Sequence, residues 1–156
     1  MKTLLTILLS TVVVASCGMN RGNQYKDPEL TNVIMQAAND LESRSFNTSK
    51  IWTNVDSWEF TDDSFNGEFG QCKKSDSDLE FNLAQTDQGN HITINRQAWN
   101  TLNEWERKEL LIHELGHCAY GLRHSQLGLM SSGITYIYSQ ISYDNILDNF
   151  VYGVRK

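Results

Sequence analysis

Proline is nearly missing from this chain: Pro28 is the only one among 156 residues. That excludes a rigid linker inside the fold, and no repeat or low-complexity stretch stands in for one. Histidine is scarce too, with four in all: His91, His113, His117 and His124. Basic residues are fewer than acidic ones, 13 against 19, for a net charge of −6. With no basic stripe, nucleic acid is not an expected partner, and the acidity reads as solubility. The longest apolar run, Leu4 to Ala15, is too short to span a bilayer comfortably as a helix. Against these shortages, 40% of residues are hydrophobic and 10% aromatic, enough to bury the modest core of one domain.

The apolar run has the form of an export signal. Lys2 supplies the positive start, and small residues close the run in Val14-Ala15-Ser16-Cys17. This ending resembles the lipobox of bacterial lipoproteins, which implies removal of residues 1–16 and lipid attachment at Cys17. The alternative is an ordinary secretory signal with Cys17 incidental. The expected organisation is a signal over 1–16, a polar flexible tether over 17–26 and one folded domain over 27–156. The expected location is outside the cytoplasm, anchored to a membrane of the bacterial cell envelope through the Cys17 lipid. Export places Cys72 and Cys118 where disulfides persist. A bridge between them is open, and so is a buried thiol.

Within the domain, Asp27-Pro28 reads as a helix start, and Leu30, Val33, Ile34, Ala37, Ala38 and Leu41 recur at helical spacing to about Ser43. Lys50–Val55 and Trp58–Thr61 are expected as strands, with a tight turn at Asn66-Gly67. Leu79, Phe81 and Leu83 alternate with polar residues, as do Ile92 and Ile94 within His91–Arg96. Gly89-Asn90 could turn one of these runs onto the other. A long helix is expected from about Asn103 to Tyr120, with Asn103 and Glu106 spaced as a capping box and Gly121 placed to end it. Ser142 to Tyr152 reads as a last helix.

The long helix carries His113-Glu114-Leu115-Gly116-His117, an H-E-x-x-H pattern. Histidines four apart on a helix share a face, so both imidazoles can reach one metal ion. Zinc accepts imidazole nitrogen and prefers four tetrahedral ligands; three protein ligands leave one position for water, whose pKa then falls to about 7. Glu114 lies about 100° around the helix from His113, able to take a proton from that water without ligating the ion. By the same angular count, Leu110 joins His113, Glu114 and His117 on one face. Leu111, Leu115, Cys118 and Ala119 form the other, packing face. Three of the four histidines fall within twelve residues, which makes a chance pattern improbable.

After His117, Gly121 can turn the chain and bring back His124. With these residues the chain resembles the metzincin zinc peptidases, whose extended motif adds a glycine, a third histidine and a methionine turn. The resemblance implies His113, His117 and His124 as zinc ligands, Glu114 as general base and Met130 as the turn methionine. One departure stands out: six residues separate His117 from His124, one more than the family spacing, and the glycine also comes one place late. No glutamate follows Glu114, so a thermolysin-type third ligand has no candidate, while Asp144 and Asp148 remain formal alternatives to His124.

The resemblance also implies the fold: α+β and zincin-like, a twisted mixed sheet with an N-terminal helix, a zinc-binding active-site helix and a C-terminal helix. It implies a sheet edge above the metal that pairs with substrate, expected here near Ile92–Asn95. His91, Tyr136 and Tyr138 read as ordinary strand-end or packing residues rather than site residues, and Cys72 as an inhibitory zinc ligand is a remote option. The expected function is zinc-dependent endopeptidase action on extracytoplasmic proteins or peptides by a monomer. The alternative is a catalytically inactive, zinc-stabilised lipoprotein that binds a partner.

Overall fold

A computed structural model describes residues 25–63, 68–74, 89–125, 128–131 and 139–154. Cys17 with the signal and tether, the Asn66-Gly67 turn, the Leu79–Leu83 run, Tyr136 and Tyr138 lie outside the described residues. Eight elements follow one another: α1 (Pro28–Glu42), α2 (Ser49–Asn54), β1 (Val55–Thr61), β2 (Gly70–Lys73), β3 (Asn90–Asn95), α3 (Arg96–Thr101), α4 (Glu104–Tyr120) and α5 (Gln140–Val154). The architecture is α+β, with a small mixed sheet and five helices among the described residues, compatible with a zincin-like fold.

α1 forms where expected because its start is satisfied locally. Asp27 Oδ1 accepts from the backbone N–H groups of Glu29 and Leu30, and Pro28 needs no donor there. Its buried stripe of Leu30, Ile34, Ala37, Ala38 and Leu41 faces the core. The Asp27 N–H donates to Trp58 O at 2.9 Å, fixing the start of α1 to β1.

The sheet order is β1-β3-β2, with β1 parallel and β2 antiparallel to β3. This corrects the expectation for Ile92–Asn95. β3 is the central strand, with its ladder filled on both sides, so it offers substrate no free edge. β2 is the outer strand on that side among the described residues.

Lys50–Val55 is another correction. Ser49–Asn54 is helical, and the strand begins at Val55. Asn47 Oδ1 accepts from Ser49 N–H at 2.9 Å at the start of α2, and Asn54 Nδ2 donates to Ala119 O at 2.9 Å at its end. These polar anchors and the burial of Ile51 against the core outweigh the β-preference of Ile51 and Thr53. α3 was not expected at all. Asn95 ends β3 and caps α3 through an Ala98 N–H bond at 2.7 Å, so one residue serves two elements.

α4 has the expected capping box, with Asn103 and Glu106 bonding each other's backbone. Its burial is broader than two faces. Leu110, Leu111, Leu115, Cys118 and Ala119 pack into the cluster around Trp58, Ile92, Ile94 and Trp99. Ile112 packs instead with Met130, Tyr143, Leu147 and Phe150. Leu110 therefore belongs to the core rather than to the ligand face, because α4 lies between the sheet on one side and α5 on the other.

Candidate metal centre

His113 and His117 sit one turn apart on α4, and their Nε2 atoms are 3.0 Å apart. His124 arrives from the segment after the helix, its Nε2 3.3 Å from that of His113. Gly121 makes that return possible. It is left-handed, with φ 67°, a conformation glycine adopts without Cβ strain. The extra residue in the spacing is absorbed by α4, which continues through Tyr120 before turning. One ligand atom from each of the three histidines lies within 4.8 Å of the other two, so the group could hold a metal ion.

The other ring nitrogens settle what the Nε2 atoms present. His113 Nδ1 donates to Leu129 O and His117 Nδ1 to Leu122 O, both at 2.7 Å. A carbonyl can only accept, so each Nδ1 carries the proton, and each Nε2 of a neutral ring presents a lone pair. Burial pushes the His113 imidazole down to about 4, and burial lowers His117 as well, so both rings are neutral near pH 7. Two such lone pairs 3.0 Å apart repel unless a cation lies between them. Nitrogen ligands about 2.05 Å from a tetrahedral ion stand about 3.3 Å from each other, and the observed separations fit that edge. The carbonyls of Leu122 and Leu129 do what outer-shell partners of metal ligands do, fixing tautomer and ring orientation.

Met130 is buried against α4 at Gly116. A Cβ on Gly116 would lie 2.5 Å from Met130 Sδ, so the missing side chain at Gly116 is the space the thioether fills. The Met130 carbonyl accepts from Ser125 N–H at 2.8 Å, which closes the segment that delivers both His124 and Leu129 O.

Glu114 is 4% exposed, and its side chain reaches β2 at Gly70. A Cβ on Gly70 would come within 2.9 Å of Glu114 Oε1. Burial pushes the Glu114 carboxyl up to about 8, with the Glu68 charge adding to the rise, while a hydrogen bond from the Cys72 N–H opposes it. That value belongs to the metal-free site; a nearby cation favours the carboxylate.

The remaining candidates fall elsewhere. Asp144 and Asp148 bind the Arg44 guanidinium, tying α5 to the turn that follows α1. His91 bonds through Nδ1 to the Ser57 hydroxyl on the neighbouring strand and is not one of the converging rings. Cys72 and Cys118 are joined in a disulfide, which removes Cys72 as an inhibitory ligand. Sequence reasoning missed Gly70, Gly116 and the two carbonyls. Gly116 lay in plain view inside the H-E-x-x-H pattern, whereas Gly70 acts only through a tertiary approach that leaves no local signal.

Comparison with curated proteins and with solved structures returned no match. A family model described as "Putative phage metallopeptidase" matches residues 29–135, a span that runs from α1 past Met130 and contains all three converging histidines and Glu114. That span covers well over half of the chain, and the protein belongs to this metallopeptidase family.

Proposed function

We propose that the protein is a zinc-dependent endopeptidase of metzincin-like type. In this reading His113, His117 and His124 hold the ion through Nε2, Glu114 is the general base and Met130 is the apolar floor. One observation carries it: ring nitrogens of His113, His117 and His124 converge, with the buried carboxyl of Glu114 next to His113 on α4. The donor set suits zinc, which takes imidazole nitrogen readily and tolerates a three-ligand open site. Zinc, when bound, supplies a Lewis acid for the scissile carbonyl and makes water acidic enough to act near neutral pH. Glu114 accepts a proton from the attacking water and delivers it to the leaving amine, and its burial keeps bulk solvent from competing for that proton.

The same reading places the enzyme outside the cytoplasm, anchored through a lipid on Cys17. One feature supports this. The Cys72–Cys118 disulfide suits an oxidising compartment. Among the described residues the chain is bound to β1 from Tyr25 onward, with Tyr25 O accepting from the Trp58 N–H at 3.2 Å and the Asp27 N–H donating to Trp58 O at 2.9 Å. Substrates are then extracytoplasmic proteins or peptides.

The competing reading is an inactive zinc-stabilised binding protein. Structural zinc sites are commonly closed by four protein ligands, and among the described residues this group offers three. Metal analysis and peptide cleavage on wild type and Glu114→Gln separate the two. The expected result is unchanged zinc content with turnover lowered on the order of a hundredfold or more. A zinc-loaded wild type that cleaves nothing in a broad peptide library would favour the binding protein.

A further inference from the structure

Two features press β2 against α4 beside Glu114, and neither belongs to the imidazole cluster. Gly70 is buried, and a Cβ there would lie 2.9 Å from Glu114 Oε1 and 2.9 Å from Ile94 Cδ1. The Glu114 side chain thus occupies space that any larger residue at position 70 would claim. The second feature is the Cys72–Cys118 disulfide, with Cα atoms 5.6 Å apart. Cys72 follows Gly70 by two residues on the same strand. Cys118 directly follows His117. One covalent bond therefore ties the strand that orients the carboxylate to the helix that carries it.

We propose that Gly70 and the Cys72–Cys118 disulfide are positioning elements for Glu114, fixing its carboxylate through the gap at Gly70 and the covalent tie of β2 to α4. This rests on the reading of Glu114 as general base. A glutamate has three rotatable side-chain bonds, and proton transfer requires hydrogen-bond reach of about 2.6–3.2 Å. Displacement by about 1 Å costs on the order of a hundredfold in rate. The imidazoles are held independently, by the Leu122 and Leu129 carbonyls. Turnover and metal retention therefore separate when β2 shifts.

The test is a double-mutant cycle on the zinc-loaded full chain: wild type, Gly70→Ala, Glu114→Gln and the pair together. Each is assayed for kcat on a quenched peptide, zinc per chain, free thiols and thermal midpoint. Gly70→Ala is expected to keep its zinc and its disulfide while kcat falls about tenfold or more. In the Glu114→Gln background the same substitution should change the residual rate by less than about twofold, since the group it displaces has already lost its role. Cys72→Ser with Cys118→Ser removes the clamp without crowding and should behave the same way, which decides the matter if Gly70→Ala does not fold. Equal losses in both backgrounds would mark a merely structural role and overturn the proposal. So would unchanged kcat in Gly70→Ala and in the serine pair while Glu114→Gln is inactive. Full activity in Glu114→Gln would instead overturn the general-base reading, and this inference with it.

Discussion

The two sides of α4 at the site are held by different parts of the chain. On the imidazole side the supports are near in sequence: His117 bonds the carbonyl of Leu122, His113 that of Leu129, and His124 follows in the same short segment. On the carboxylate side the supports come from β2, and the disulfide that joins β2 to α4 spans a sequence separation of 46. Nearby contacts close small loops and cost little entropy, whereas β2 reaches Glu114 only after the sheet has formed. The difference teaches that metal binding and turnover rest on separable structure. On the proposed reading, the three imidazoles can keep a metal ion through disturbances of the sheet that displace Glu114.

Cutting the imidazole side should have the largest effect. His124→Ala removes one of three donors, and zinc affinity is expected to fall by more than about a hundredfold, with activity lost in parallel. Metal titration with a chromophoric chelator measures this. Stoichiometric zinc and full activity in His124→Ala would break the comparison at its root.

A smaller effect is expected at Gly116 on α4. Gly116→Ala drives a Cβ to within 2.5 Å of Met130 Sδ, and Met130 is buried in the cluster that holds Ile112, Leu129 and Tyr143. Overpacking of this kind costs about 1–3 kcal/mol, read as a lower urea midpoint. Pairing it with Met130→Ala should recover part of the loss, because the clashing atom is gone.

The smallest effect, and the one that sharpens the contrast most, is the pH dependence of stability in the chelator-treated protein. His113 titrates near 4 in the fold against 6.5 for the free side chain, so its contribution is present above 6.5 and is lost as pH falls toward 4. Glu114 has the opposite sign: raised to about 8 from 4.5, its contribution is present below 4.5 and is lost as pH rises toward 8. The two oppose each other between 4.5 and 6.5, so stability should be nearly level there and decline toward pH 8. Glu114→Gln should abolish the decline toward pH 8 and unmask, between 6.5 and 4.5, the loss of stability that the lowered His113 pKa brings as pH falls. Denaturant midpoints across that range give the answer, and a decline that persists in the variant would assign it to another group.

The same local-against-distant division explains what could be read from the sequence. Asp27-Pro28, the Asn103–Glu106 capping box, Gly121 and the spacing of His113, His117 and His124 are short-range signals, and each has the structural place it was expected to have. Lys50–Val55 misled because Ile and Thr favour strands intrinsically, while α2 is decided by Asn54 reaching Ala119 on a distant helix. β3 was expected at an edge because nothing in its six residues reports which strands flank it. The approach of Gly70 to Glu114 was invisible for the same reason. A glycine's role in a close tertiary contact is written in its neighbours' positions, not in its own surroundings along the chain.

The most direct measurement is anomalous diffraction at the zinc edge on crystals of the protein grown with zinc. One peak is expected, about 2.0–2.1 Å from the Nε2 atoms of His113, His117 and His124, with Glu114 outside the coordination sphere. A peak bound by only two of these rings, or a zinc ion ligated directly by Glu114, would contradict the account.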